Sequence, residues 1–449
     1  MKIRKFDVLI NSKLKPFKKT IKVDSDKSLS IRSFLIGSIS QNISNVKNIL
    51  ESEDVKSAIL ACKKLGVKIQ KISHGHYKIY GKGLGSLFIK KKSILNFGNS
   101  GTLARLLIGI LSTTPDIEII VSGDRSLNKR NMKELISLMN KFGATFIPQK
   151  KYFFPLKLIS SKFPVGINYE AGVSAQLKSA VIFSGLNSYG ITTIEEKISS
   201  RDHTENLLMK NHEVVKVKKE RGKKIIKVLG KKKLNQININ VSGDPSSAAF
   251  FTTLALLNPN SFIKIKNVGL NPTRTGFYRI LKKQKANLKF VNLKKKNNEV
   301  IGDIIAQSST LKSIKTAPNM YASTTDEYLL LFLIAGLQKG TSTFKGISDL
   351  ANKESSRAYE MKKILNQIGI RCILKKSEIT IFGKGLIDAT NKNIIVENLG
   401  DHRIAMCAFL LGVLTNAKTY IKNFETVYTS SPSFLNIMKT LGAKFEIKK

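Results

Sequence analysis

DKSLSIRSFLIGSI, residues 26–39, sets an acid, a lysine and two serines directly against an apolar run of helical period. The same composition returns five times: NSGTLARLLIGIL from Asn99, SAQLKSAVIFSGL from Ser174, DPSSAAFFTTLALL from Asp244, TTDEYLLLFLIAGL from Thr324 and DHRIAMCAFLLGVL from Asp401. With Lys27, Ser100, Ser174, Asp244, Asp326 and Asp401 as markers, the spacings are 73, 74, 70, 82 and 75 residues. This is an internal repeat. Its period exceeds that of solenoids, so the units are expected to close into globular domains rather than stack as a rod.

Between these segments runs a second series of amphipathic helices, each leading into a short strand. They end LKKLGVKI near Gly66, MNKFGATFI near Gly143, MKNHEVVKV near His212, LKKQKANLKF near Ala286, LNQIGIRCIL near Gly369 and MKTLGAKFEI near Gly442. Val55, Ala58, Ile59, Cys62 and Leu65 share one face of the first, and Gly66 stands where a C-terminal cap belongs. Each repeat therefore reads as strand, buried helix, strand, surface helix and two strands. The fold class is α/β, in the α+β sense.

A chain of 449 residues with 42% apolar content exceeds one ordinary core and is too apolar for disorder, so two or three domains are expected. Cys62, Cys372 and Cys407 lie in separate segments, which excludes a disulfide framework and a Cys-rich zinc site and points to a reducing, cytoplasmic home. The longest apolar run, Tyr328 to Leu337, is too short for a membrane span, and Met1 to Thr20 has polar breaks where a signal peptide needs an apolar core. The net charge of +45 first suggests nucleic acid. Lysine is spread over every segment, including Lys216 to Lys227, Trp is absent, and no aromatic residues interleave with the cations for base stacking, so no specific nucleic-acid partner is expected. Only twelve of the 76 basic residues are arginine, and those mark places where a planar two-pronged donor is needed.

The polar openings have two readings. Ser, Thr, Asn or Asp there can be plain N-caps. Lys27, Arg32, Arg105, Lys178 and Arg403, all within the first two turns, point instead to a shared anion-binding role at positive helix ends.

The ordered motifs resemble the EPSP synthase family of enolpyruvyl transferases over nearly the whole chain. They are DKSxSxR at Asp26–Arg32, GNSGTxxR at Gly98–Arg105, SGDxSLxxRxM at Ser122–Met132 and SAQxKSA at Ser174–Ala180. SRDHTE at Ser200–Glu205, GDPSSAA at Gly243–Ala249, NPTRTG at Asn271–Gly276, DEY at Asp326, KESxR at Lys353–Arg357 and DHRIAM at Asp401–Met406 complete the series.

The resemblance implies two similar domains of three βαβαββ repeats, with the active site in the interdomain cleft. One domain would hold residues 22–239 and the other residues 1–21 with 240–449. It implies transfer of the enolpyruvyl group of phosphoenolpyruvate to the 5-hydroxyl of shikimate 3-phosphate, with no metal, no cofactor and, as expected here, a monomer. By motif, Lys27, Ser28, Arg32, Ser174, Ala175, Gln176, Arg201, Asp326 and Lys353 would bind shikimate 3-phosphate. Lys27, Asn99, Gly101, Thr102, Arg130, Gln176, Lys353, Arg357 and Arg403 would bind phosphoenolpyruvate. Asp326 would take the 5-hydroxyl proton, Glu354 would serve the methylene carbon, and Lys27 would assist. In this family glyphosate occupies the phosphoenolpyruvate site, and members of the tolerant type carry alanine where this chain has Gly101, so sensitivity is implied.

Several positions keep a plainer alternative. Asp326 with Glu327 can be an N-cap pair, Glu354 with Arg357 a surface ion pair at i, i+3, Arg274 a hinge residue and Arg105 a brace of the first helical turn. His74, His76, His203, His212 and His402 lack ligand spacing and read as packing or hydrogen-bonding residues. Ser430, Ser431 and Pro432 depart from the family's Ser-Phe-Pro. The sister reaction on UDP-N-acetylglucosamine is the nearest alternative, but that branch carries a reactive loop cysteine, and none of the three cysteines here fits one.

Overall fold

An apolar helix with a polar start has one stable placement, inside a core with its first turn at an edge. The computed structural model, which describes residues 5–209, 213–397 and 399–448, places all six segments this way. The helices are Lys27–Ile39, Gly101–Thr113, Ala175–Leu186, Pro245–Leu257, Tyr328–Gly336 and His402–Thr415. The last three are buried at every residue. Asp26, Ser100, Ser174, Asp244 and Asp401 each accept a backbone N–H of the first turn, so the N-cap reading holds for five of the six. The sixth departs from it. A short helix, Tyr321–Thr324, precedes Tyr328–Gly336, which starts without a side-chain cap, and Asp326 and Glu327 are put to other use.

Around the helices, among the described residues, stand six four-stranded sheets, each with one parallel pair. The parallel pair arises because a strand, a buried helix and the next strand form a crossover, which returns the chain in the same direction. The first and fourth repeats exchange their leading strands. Lys18–Ile21 pairs with Phe262–Gly269, Ile21 opposite Ile265, while Asn238–Asn240 pairs with Ile43–Lys47, Ile239 opposite Val46. The chain accordingly divides into two compact units: Met1–Asp24, Ser242–Lys295 and Val300–Lys449 in one, Ser25–Val241 with Lys296–Glu299 in the other.

Each unit has its own core. That of the first is rich in rings, with Phe409 and Phe434 edge-on at 5.4 Å between centroids. In the second, Gly101–Thr113 packs so closely on Ala175–Leu186 that a Cβ at Gly109 would stand 2.6 Å from the Ala180 carbonyl oxygen, and Ser184 Oγ donates to the Gly109 carbonyl at 2.8 Å.

The second helix series is amphipathic with one exception. His203–Leu208, expected on the surface, is buried throughout. Its polar residues are tolerated because each meets a buried partner: His203 Nδ1 lies 2.8 Å from Glu299 Oε1, Thr204 Oγ1 accepts from Arg32, and Glu205 pairs with Lys178. The stretch near His212 that follows lies outside the described residues.

Candidate functional site

In the unit holding Ser25–Val241, the first turn of Lys27–Ile39 presents Lys27 and Ser28, both half-buried. Lys27 Nζ pairs with the buried Asp54 at 2.9 Å. Arg32, one turn on and only 3% exposed, donates from Nε to Thr204 Oγ1 at 2.8 Å, from Nη2 to Ser179 Oγ at 3.1 Å and from Nη1 to the Ser28 carbonyl at 3.2 Å. It thus ties the DKSLSIR motif to the SAQLKSA and SRDHTE motifs. Arg201, in the SRDHTE motif, is half-buried.

The GNSGT turn carries Asn99 and Thr102 at the start of Gly101–Thr113. Arg130 Nη2 donates to Asn99 Oδ1 and, at 3.4 Å, to Ser126 Oγ. Arg105 Nη1 donates to Gln176 Oε1 at 2.8 Å and to the Gly101 carbonyl at 3.2 Å, while Gln176 Nε2 donates to Thr102 Oγ1 at 3.0 Å. The Arg105 guanidinium therefore braces the first turn, as its plainer alternative has it, and also reaches Gln176. Ser174 is the N-cap of the helix that Ala175 and Gln176 begin.

Lys178 does not share this placement with the other cations of the helix starts. Its side chain is fully buried, with Nζ 2.8 Å from Glu196 Oε1 and 2.7 Å from Glu205 Oε1. Glu196 Oε1 also accepts from the Ser200 amide and hydroxyl, and Lys224 Nζ lies 3.3 Å from Glu205. Burial alone would raise the Glu205 pKa, but the two lysines outweigh it and hold the carboxyl below its ordinary range. A charge taken so far from water needs such partners, and here they anchor the Ser200–Glu205 segment from beneath.

In the other unit, five motif residues converge. Arg357, 2% exposed at the start of the Arg357–Gln367 helix, donates from Nε to Asp401 Oδ2 at 2.9 Å, from Nη2 to Glu354 Oε2 at 2.6 Å and from Nη1 to Asp326 Oδ1 at 3.4 Å. Arg403 Nη2 stands 3.5 Å from Asp326 Oδ2, and its Nη1 donates to the Asp326 carbonyl at 3.3 Å. Glu354 and Arg357 are therefore no surface ion pair, and Asp326 is no helix cap. Lys353 pairs with Asp349, which also accepts from the Tyr321 hydroxyl.

The structure brings in two residues to which motif reading gave no contact with substrate. Asp401, read only as a marker, is the main partner of Arg357. Arg274 is 2% exposed and donates from Nη2 to Asp244 Oδ1 at 3.1 Å and Ser246 Oγ at 2.8 Å, while Ser246 Oγ donates to Glu327. That chain runs to the neighbour of Asp326. A buried arginine among twelve was the available signal.

Burial raises the thiol pKa of Cys62 to about 11 and of Cys372 to about 12, and pushes Cys407 higher still, so none is poised as a thiolate. No group of three or more His, Cys, Asp or Glu side chains among the described residues is arranged to hold a metal ion. His76 Nε2 lies 2.7 Å from Asn45 Oδ1 and His402 Nδ1 lies 3.5 Å from Thr429 Oγ1, while His212 is outside the described residues. No helix among the described residues is long and apolar enough to cross a membrane.

The fold is that of the enolpyruvyl transferases. The enolpyruvyl transferase NikO of Streptomyces tendae superposes with a TM-score of 0.74 over 99% of both chains, and at 11% identity that likeness concerns the fold alone. A family model, EPSP synthase (3-phosphoshikimate 1-carboxyvinyltransferase), matches residues 12–438, and the chain belongs to that family. A 3-phosphoshikimate 1-carboxyvinyltransferase of Zymomonas mobilis is 34% identical over 98% of this chain and 97% of its own length. One of Sulfurihydrogenibium is 37% identical over 96% and 98%. A solved EPSP synthase of Acinetobacter baumannii gives a TM-score of 0.84 at 34% identity, covering 99% of this chain and all of that one.

Proposed function

We infer that this chain transfers the enolpyruvyl group of phosphoenolpyruvate to the 5-hydroxyl of shikimate 3-phosphate and releases phosphate, a step of chorismate and aromatic amino acid biosynthesis. The observation that carries the reading is the family match along residues 12–438, with relatives of that name matching nearly end to end. The cluster around Arg357 supports the assignment of roles within it.

Both substrates carry a phosphate and a carboxylate, so the chemistry needs fixed positive charge, an acid and a base. Lys27, Ser28, Arg32, Ser174, Ala175, Gln176 and Arg201 hold shikimate 3-phosphate, joined by Asp326 and Lys353. Lys27, Asn99, Gly101, Thr102, Arg130, Gln176, Lys353, Arg357 and Arg403 hold phosphoenolpyruvate, the arginines as two-pronged donors. Glu354 gives a proton to the methylene carbon while the 5-hydroxyl, losing its proton to Asp326, attacks the adjacent carbon. The resulting tetrahedral adduct expels phosphate as Glu354 recovers the methyl proton, which restores the double bond. The buried, unactivated cysteines weigh against the sister reaction on UDP-N-acetylglucosamine. The reading places the enzyme in the cytoplasm as a monomer working on small molecules.

Phosphate release from phosphoenolpyruvate tests it. The expected result is turnover that requires shikimate 3-phosphate. Turnover that requires UDP-N-acetylglucosamine instead would overturn the assignment.

A further inference from the structure

We propose that Arg105 is a positioning residue that sets the polarity of the Gln176 amide. Guanidinium N–H groups only donate, so the group 2.8 Å from Arg105 Nη1 must be the amide oxygen of Gln176. One amide N–H then goes to Thr102 Oγ1 at 3.0 Å, and the second is the group that Gln176 offers to an anionic substrate. Turned the other way, the same side chain would show an oxygen to a phosphate or carboxylate and repel it. Arg105 is itself held, because its Nη1 also donates to the Gly101 carbonyl at 3.2 Å. A Cβ at Gly101 would stand 2.9 Å from that same Nη1, so the guanidinium lies across the glycine and uses the space a methyl would fill. Gly101, Arg105 and Gln176 thus act in series, and Arg105 contributes to binding without touching substrate.

The inference rests on the enolpyruvyl-transfer reading, in which Gln176 contacts both substrates, and a double-mutant cycle separates the two. Steady-state phosphate release is measured for wild type, Arg105→Met, Gln176→Met, the double variant and Arg105→Lys. Each single Met variant is expected to raise KM for phosphoenolpyruvate about tenfold, the loss of roughly one charge-assisted hydrogen bond, with kcat changed less than about threefold. The double variant should match Gln176→Met within about twofold, because Arg105 then has nothing left to orient. Arg105→Lys, which keeps a donor, should recover part of the loss. Should Arg105→Met fail to fold, Arg105→Gln takes its place in the cycle. Losses that multiply in the double variant, or an unchanged KM in the Arg105 variant, would overturn the relay while the reaction stands. An inactive wild type would overturn both.

Discussion

Arg357 Nε lies 2.9 Å from Asp401 Oδ2, and that bond joins the first turn of one helix to the residue that caps another. Burial would lower the Arg357 pKa, but Asp401, Glu354 and Asp326 outweigh it and push the guanidinium further up. The cation is therefore permanently charged. A lysine placed there keeps the charge and loses the fork. Arg357→Lys and Arg403→Lys are each expected to raise KM for phosphoenolpyruvate at least about tenfold, the equivalent of one charged hydrogen bond. Unchanged steady-state kinetics in both variants would remove these arginines from the phosphoenolpyruvate site.

Lys178→Met leaves Glu196 and Glu205 buried with only Lys224 nearby, and breaking such a buried pair costs about 3 to 5 kcal/mol. Lys56→Met is the control, since Lys56 meets Glu53 at 3.0 Å on an exposed helix face, where pairs are worth about 0.5 kcal/mol. Urea unfolding of both variants is expected to show a large loss for the first and almost none for the second. Equal midpoints would show that the buried cluster does not anchor the Ser200–Glu205 segment.

Gly101→Ala puts a methyl 2.9 Å from Nη1 of both Arg105 and Arg130. Both are ends of flexible side chains, so the site yields by moving them rather than by unfolding. The wild type is expected to be sensitive to glyphosate, and the variant to bind the inhibitor about one to two decades more weakly, an overpacking cost of roughly 1 to 3 kcal/mol, with a smaller loss for phosphoenolpyruvate. Inhibition constants for the two proteins decide it, and a tolerant wild type would refute the expectation.

Glu51 gives a pH dependence with a defined sign. Partial burial would raise its pKa, but the Gly75 amide, Lys71, the Tyr77 hydroxyl and His74 bring it from 4.5 down to about 2. Because the folded value lies below the unfolded one, the stabilisation is fully present above about pH 4.5 and fades as pH falls toward 2. Glu51→Gln should lower stability at pH 7, and the gap to wild type should close on acidification. Denaturant unfolding at pH 7 and pH 3 measures it; a gap that widens in acid contradicts the assignment.

Much of this architecture was legible because its signals are local. A polar cap followed by unbroken apolar residues fixes a buried helix wherever it occurs, and six such segments at near-even spacing reveal the repeat. What stayed hidden depends on partners far along the chain. Nothing near Lys178 tells it apart from Lys27, yet one meets Glu196 and Glu205 inside the core and the other stands half-buried beside Asp54. His203–Leu208 reads as a surface helix because Arg32 and Glu299, which make its polar residues tolerable, lie about 100 or more positions away. Asp401 looks like an N-cap and is one, so its second task on Arg357 left no separate mark.

The pairing of Asp7–Ile10 with both Lys418–Ile421 and Glu446–Lys448 sets an order of events at the ribosome. Asp7–Ile10 has no neighbour until Lys418–Ile421 and Glu446–Lys448 have been translated, and Lys18–Ile21 waits for Phe262–Gly269. Ser25–Val241, by contrast, contains all the strands of its three sheets and can close as soon as Asn238–Asn240 emerges. During synthesis the sheets of one unit are complete, short only of Lys296–Glu299, while strands of the other still lack their partners, so the interval from Val241 to Glu446–Lys448 is when this chain is most open to aggregation and to chaperones.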